Sequence, residues 1–186
     1  MDCEKIKKGV LLILEGIGED PGREGLQQTP ERVAEFYREF FSGLEKDPQK
    51  EIRVFCTKNH DEMIILRDIS FVSMCEHHLL PFFGNAHIAY VPDSNRIVGF
   101  SSLARVVETL ARRPQLQERM TTDIAEYIIE AIKPKGVMVV LEAEHMCMTI
   151  RGVKKPGTRI LTSAIRGIMR TAPSRAEAYS MIMRDR

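Results

Sequence analysis

Apolar residues near the start of the chain recur at helical spacing. Ile6, Val10, Ile13, Leu14 and Ile17 share one face of a helix over residues 4–17, which Gly16 and Gly18 end. After a turn-rich GEDPGREG, the segment TPERVAEFYREFF predicts a second helix over about 30–42, with Thr29 as N-cap, Pro30 at the first helical position and Ser42-Gly43 closing it. From Glu62 the pattern changes to strand. EMIILRDISFVSM is β-rich and partly alternating, NAHIAYVP alternates again, and Pro92-Asp93-Ser94-Asn95 turns into a short strand at Arg96-Ile97-Val98. SLARVVETLARR returns to helical spacing through Leu103, Val106, Val107 and Leu110. A further helix, started by Pro114, carries Leu116, Met120, Ile124, Tyr127, Ile128 and Ala131 until Lys133-Pro134-Lys135-Gly136 breaks it. GVMVVLEAEHMCMTIRG and TRILTSAIRG read as strands, and the tail from Pro173 to Arg186 as a helix. The order α–α–β–β–α–α–β–β–α predicts an α+β fold, an antiparallel sheet with helices on one face and an N-terminal helical extension.

Composition changes this picture little. The 186 residues are 44% hydrophobic and 28% charged, ordinary for one soluble domain with a sizeable core. The apolar run from Val10 to Leu14 is too short for a membrane span or a secretory signal, so the expectation is a cytoplasmic protein with no membrane partner. A net charge of +1 makes no case for nucleic acid. The distribution is uneven, however. Residues 151–175 carry Arg151, Lys154, Lys155, Arg159, Arg166, Arg170 and Arg175 with no acid among them. Such a run is either a solvated basic loop or a site for a polyanionic small molecule.

The candidate chemistry lies in two clusters. Cys75-Glu76-His77-His78 immediately precedes an apolar Leu-Leu-Pro-Phe-Phe, and His145-Met146-Cys147 lies some seventy residues later. Cys75 and His78, three apart, form a plausible local pair for zinc, and an antiparallel sheet can bring Cys147 beside them. Three protein donors with one position left for water is the catalytic arrangement. A fourth donor, His77 or His145, would make the site structural.

The segments SMCEHHLLPFFG, RRPQLQERMT, EAEHMCMTIRGV and TSAIRG, together with GEDPGREGLQQTPERVAEFY, resemble the signature segments of the GTP cyclohydrolase I family, in order and spacing from about Gly18 through Gly167. The resemblance implies the tunnelling fold, with residues 1–50 as an N-terminal helical region, 51–186 as the catalytic domain, and a homo-oligomer in the form of a toroidal decamer. It implies conversion of GTP to 7,8-dihydroneopterin triphosphate with release of formate, the first step of pterin and folate-type biosynthesis. It makes Cys75, His78 and Cys147 ligands of a Zn2+ ion whose bound water attacks C8, and His77 and His145 the acid/base histidines. Glu118 matches the carboxylate that recognises guanine, with Gln117 beside it. Ser101 matches a residue at the ribose, and Arg105 and Arg151 match phosphate-binding arginines. The chain departs from the pattern at Ser102, where Lys is common, and at Pro114. In the KKPGTRILTS loop, Lys154, Lys155 and Arg159 could offset the missing cation. The competing expectations are another tunnelling-fold enzyme with the same purine pocket, or a zinc-bearing nucleotide sensor.

Overall fold

The structure is a computed structural model that describes residues 1–58 and 61–183. The chain forms two compact units, Met1–Ser42 and a larger one from Gly43 onward. In the first, helices α1 (Cys3–Gly16) and α2 (Thr29–Phe40) pair, and Lys7 bridges Glu4 and Glu31. The Asp2 carboxylate caps α1 by accepting from the Lys5 N–H at 3.1 Å. Thr29 is not the N-cap of α2. Its N–H already bonds to the Leu26 carbonyl in the preceding turn, so Thr29 lies inside the helix and Gln28 precedes it without a side-chain cap.

The larger unit opens with β1 (Val54–Cys56), a short strand not foreseen from the pattern, which pairs antiparallel with β4 (Arg96–Val98). The main sheet contains β2 (Ile64–Cys75), β3 (Pro81–Val91), β5 (Pro114–Gln115), β6 (Gly136–His145) and β7 (Arg159–Gly167), in the order β5-β2-β3-β6-β7. All neighbours are antiparallel except β2 and β5. Helices α3 (Phe100–Ala111) and α4 (Gln117–Ile132) cover one face, where Leu103, Val106, Leu110, Ile124 and Ile128 pack on Ile88, Tyr90, Val137, Val139 and Leu141. These burials, at roughly 1.5–3 kcal/mol per large apolar side chain, drive the fold. On β6 the alternate residues Met138 and Val140 face the other way and pack with Ala178 and Ile182 of α6 (Ala172–Met183). Because α6 covers part of the second face, the middle of β6 is apolar on both sides and reads as the unbroken run GVMVVL.

Three local features set up the site end of the sheet. Pro114 does not start a helix; Pro114-Gln115 pairs with Met74-Cys75, and α4 begins at Gln117. Proline's fixed φ suits an edge strand as well as a first helical turn. Strand β6 stops at His145, and Met146–Thr149 forms a single helical turn, α5, where a continuing strand was expected. Gly84 lets β3 and β6 approach closely, since a Cβ there would meet the Glu142 carbonyl oxygen at 1.9 Å.

Candidate metal centre and active site

The CEHH segment is one helical turn joining β2 to β3. The N–H groups of His78 and Leu79 both donate to the Cys75 carbonyl, at 3.4 and 2.9 Å, and the Cys75 N–H donates to Leu80. Residues i and i+3 of such a turn share a face. The Cys75 Sγ accordingly lies 3.9 Å from His78 Nδ1. Leu79 closes the turn at φ 50°, a left-handed conformation unusual for a residue with a branched side chain. The turn is tied to the rest of the protein by Glu76. Its N–H donates to the Gln115 carbonyl, and its carboxylate accepts both Nη atoms of Arg119 at 2.7 and 3.0 Å. This guanidinium holds the Glu76 carboxyl below its ordinary range.

The second cluster lies across the sheet. Phe82 and His145 are register partners on β3 and β6, and their rings stack at 4.5 Å and 7°. One helical turn further, Cys147 comes to the CEHH turn, so that the donor atoms of Cys75, His78 and Cys147 all lie within 4.8 Å of one another. Tetrahedral zinc with thiolate and imidazole ligands needs donor separations of about 3.5–3.8 Å. A small contraction would meet this. The donor chemistry fits as well. Burial, and then the neighbouring Cys75 sulfur, push the Cys147 thiol above its ordinary pKa. A cation held between the two sulfurs would favour their thiolate forms. No fourth His, Cys, Asp or Glu joins the group among the described residues.

Besides His145, four of the other expected site residues lie at or beside this cluster. Arg151 Nη1 is 2.7 Å from His78 Nε2. Glu118, in the exposed first turn of α4, contributes to the field at His145. Burial lowers the His145 pKa and Glu118 partly opposes the shift, which favours a neutral imidazole at neutral pH. Gln117 is only 2% exposed, and its side-chain oxygen is 2.7 Å from His145 Nε2. His77 is exposed beside His78, their rings 6.2 Å apart.

Ser101 and Arg105 are not brought to the cluster. Helix α3 runs beside β2 with its C-terminal end toward Cys75, where the Arg113 carbonyl accepts from Ser73 and Pro114-Gln115 pairs with Met74-Cys75. Ser101 is ten residues back, about 15 Å along the helix. Arg105 engages Glu51 at 3.1 Å and the Ser102 hydroxyl at 3.1 Å, and lines an open groove of about 500 Å³ with Arg67, Asp68 and Phe100. Ser102, where the family resemblance implies a Lys, is 1% exposed and also accepts from the Arg53 N–H. Sequence reasoning left Glu76 without a role and missed its partner Arg119 altogether. A carboxylate and an arginine forty-three residues apart give no signal until the fold joins them.

Three convergent donors, with no fourth among the described residues, lie beside an engaged histidine on an α+β sheet and could hold a metal ion with one position open. The family model described as GTP cyclohydrolase I matches residues 6–184. Similar proteins, each named GTP cyclohydrolase 1, come from Carboxydothermus hydrogenoformans (57% identical over 98% of this chain and 95% of that one), Thermoanaerobacter pseudethanolicus (59%, over 98% and 97%) and Clostridioides difficile (58%, over 98% and 97%). Among solved structures, an archaeosine synthase QueF-Like in the apo form shows a weaker likeness, with a TM-score of 0.47 and 17% identity over 56% of this chain and 93% of that one. This chain belongs to the GTP cyclohydrolase I family.

Proposed function

We propose that this protein hydrolyses GTP at C8 of the purine, releases that carbon as formate and recloses the ring to 7,8-dihydroneopterin triphosphate, the first step of pterin or folate-type biosynthesis. The observation that carries this reading is the convergence of Cys75, His78 and Cys147 beside His145, in a chain that matches the family over nearly its whole length. Cys75, His78 and Cys147 would hold a zinc ion, which would supply the Lewis acidity to activate water near neutral pH. The protein's own residues do the rest. Glu118 accepts from the guanine N1–H and 2-amino group and so orients C8. His145, stacked on Phe82, moves protons during ring opening. His77, exposed on the CEHH turn, is the second proton-transfer group. Arg151, at the head of the acid-free segment 151–175, binds the triphosphate with Lys154, Lys155 and Arg159.

Ser101 and Arg105 belong to the ribose and phosphate contacts in this reading. Their distance from the cluster within one copy supports an oligomeric site in which a second copy supplies them. The sheet suits such an assembly. β7 pairs only with β6, and β2 pairs on its outer side only through Met74-Cys75, among the described residues. Two open edges are what strand-to-strand closure into a ring requires, and we assign the protein to a toroidal homodecamer. No helix of the described residues is long and apolar enough to cross a membrane, which is compatible with a cytoplasmic site of action.

The test is purified protein with zinc and GTP, measuring formate and the fluorescence of the oxidised pterin. One formate should appear per GTP consumed. Intact zinc with bound GTP and no product would instead make the protein a nucleotide sensor.

A further inference from the structure

The buried amide of Gln117 is positioned to do something other than meet the substrate. Its Nε2 has three acceptors: the Ile160 carbonyl at 2.9 Å, the Thr162 hydroxyl at 3.0 Å and the Leu141 carbonyl at 3.2 Å. Two hydrogens shared among three acceptors leave none for a ligand. The orientation of the amide is also forced. Carbonyl oxygens only accept, so the end facing Leu141 and Ile160 must be the NH₂, and turning the amide over would set three oxygens against one another. Oε1 therefore faces His145 Nε2 at 2.7 Å and can only accept there.

A ring of hydrogen bonds locks this arrangement. Gln117 Nε2 donates to Thr162 Oγ1, Thr162 and Thr121 share a hydrogen bond at 2.6 Å, and the Thr121 hydroxyl donates to the Gln117 backbone carbonyl at 2.6 Å. With Thr162 donating to Thr121, every donor and acceptor runs in one direction around the ring. Helix α4 and strands β6 and β7 thus hold one side chain together, and that side chain holds one nitrogen of one histidine. Stacking on Phe82 fixes the plane of the imidazole and leaves Gln117 to fix which edge carries the hydrogen.

We propose that Gln117 is a positioning residue that holds His145 in the Nε2–H tautomer, so that Nδ1 is the atom that exchanges protons with the substrate. Nδ1 has no hydrogen-bond partner among the described residues. The assignment deepens the reading of His145 as an acid/base group and rests on it for its catalytic meaning, but the tautomer itself is a property of the resting protein. It also makes Gln117, which the family resemblance set beside the guanine-recognising Glu118, a group that acts through another.

The experiment has two arms. In wild-type, zinc-loaded protein with 15N-labelled histidine, long-range 1H–15N correlation should show the neutral His145 ring protonated at Nε2, its signals assigned by their loss in His145→Ala. A ring protonated at Nδ1 overturns the proposal, whether or not the protein turns over GTP, so this arm stands apart from the proposed activity. In the kinetic arm, Gln117→Met should keep its zinc, lower kcat by about 10–100-fold, part of the ~10²–10⁴ a positioned acid–base group contributes, and leave KM for GTP within about twofold. A rise in KM with unchanged kcat in Gln117→Met would mean the amide binds substrate, and would overturn the assignment.

Discussion

The two strand ends that meet at the metal centre each contribute a cysteine and a histidine, yet they are built in opposite ways. At the end of β6, His145 is stacked on Phe82 and hydrogen-bonded to a buried amide. Cys147 follows in a helical turn, where Thr149 donates to Glu144 and to the His145 carbonyl. At the end of β2 only Cys75 is buried. His77 and His78 are exposed on a turn closed by a left-handed Leu79 and tethered through Glu76. One half is preorganised by the core. The other is presented outward, toward solvent. Preorganisation is where electrostatic catalysis is gained, because a group held in place has no reorganisation left to undergo in the reaction.

The sharpest way to break this comparison is to remove the one residue that joins the halves. Cys147→Ser should lose both stoichiometric zinc and turnover, taking activity to background, since the remaining pair, Cys75 and His78, cannot hold the ion alone. Metal analysis on the purified variant checks this. Retained zinc would mean that the three-donor assignment is wrong. A chelator should do the same to the wild-type protein, and added zinc should reverse it.

Next in size is the pair of histidine variants. His145→Ala should keep its zinc and lose turnover by about 10²–10⁴-fold. His77→Ala, taken from the exposed half, should also keep zinc. If preorganisation matters as argued, the loss of His145 costs more in kcat. Equal losses would remove the distinction between the two halves. An empty metal site in His145→Ala would move that residue from proton transfer into the ligand set.

How far these halves could be read in advance differs too. Cys75 and His78 lie three apart, and a local spacing is visible in any sequence. The convergence of Cys147 needed only the antiparallel order of strands, which alternation and turn residues supplied. What stayed hidden was long-range and polar. The Glu76–Arg119 fork, the Gln117–Thr162–Thr121 ring and the burial of Ser102 join residues whose local patterns are ordinary. The position of α6 was hidden for a related reason. GVMVVL says that β6 is buried on both faces, but not which element covers the second. Pro114 was misread because its φ suits two conformations, and only the pairing with Met74 decides between them.

Glu76→Gln tests the tether of the exposed half. Gln keeps the shape of the side chain but loses the charge that grips both Nη atoms of Arg119. Because the pair is solvent-exposed, the expected loss is modest, about 3–10-fold in kcat/KM, with the melting temperature nearly unchanged. Arg119→Lys should give a loss of similar size, and the double variant should be no worse than either single one. Additive losses would show that the two side chains act separately and that the fork does not position the turn.

The smallest effect is expected at Arg151, and it tests whether the outward half is arranged by the metal. Arginine only donates, so at 2.7 Å His78 Nε2 must be accepting from it, and the hydrogen of the neutral ring then lies on Nδ1, the nitrogen beside the Cys75 sulfur. An imidazole that binds a metal through either nitrogen carries its hydrogen on the other. Bound through Nδ1, the ring would make Nε2 a donor that turns from Arg151; bound through Nε2, it would have no lone pair left for Arg151. The contact and a metal on His78 would therefore be exclusive, and loading the site would free the Arg151 guanidinium. Arg151→Met removes the competitor, so zinc should bind about 2–5-fold more tightly, the scale of one exposed hydrogen bond. The KM for GTP should rise in the same variant, because a phosphate contact is lost. Competition with a fluorescent chelator measures the first effect and steady-state kinetics the second. Weaker zinc binding in Arg151→Met would mean that the arginine supports His78 as a ligand, and that the exposed half is ordered before the metal arrives.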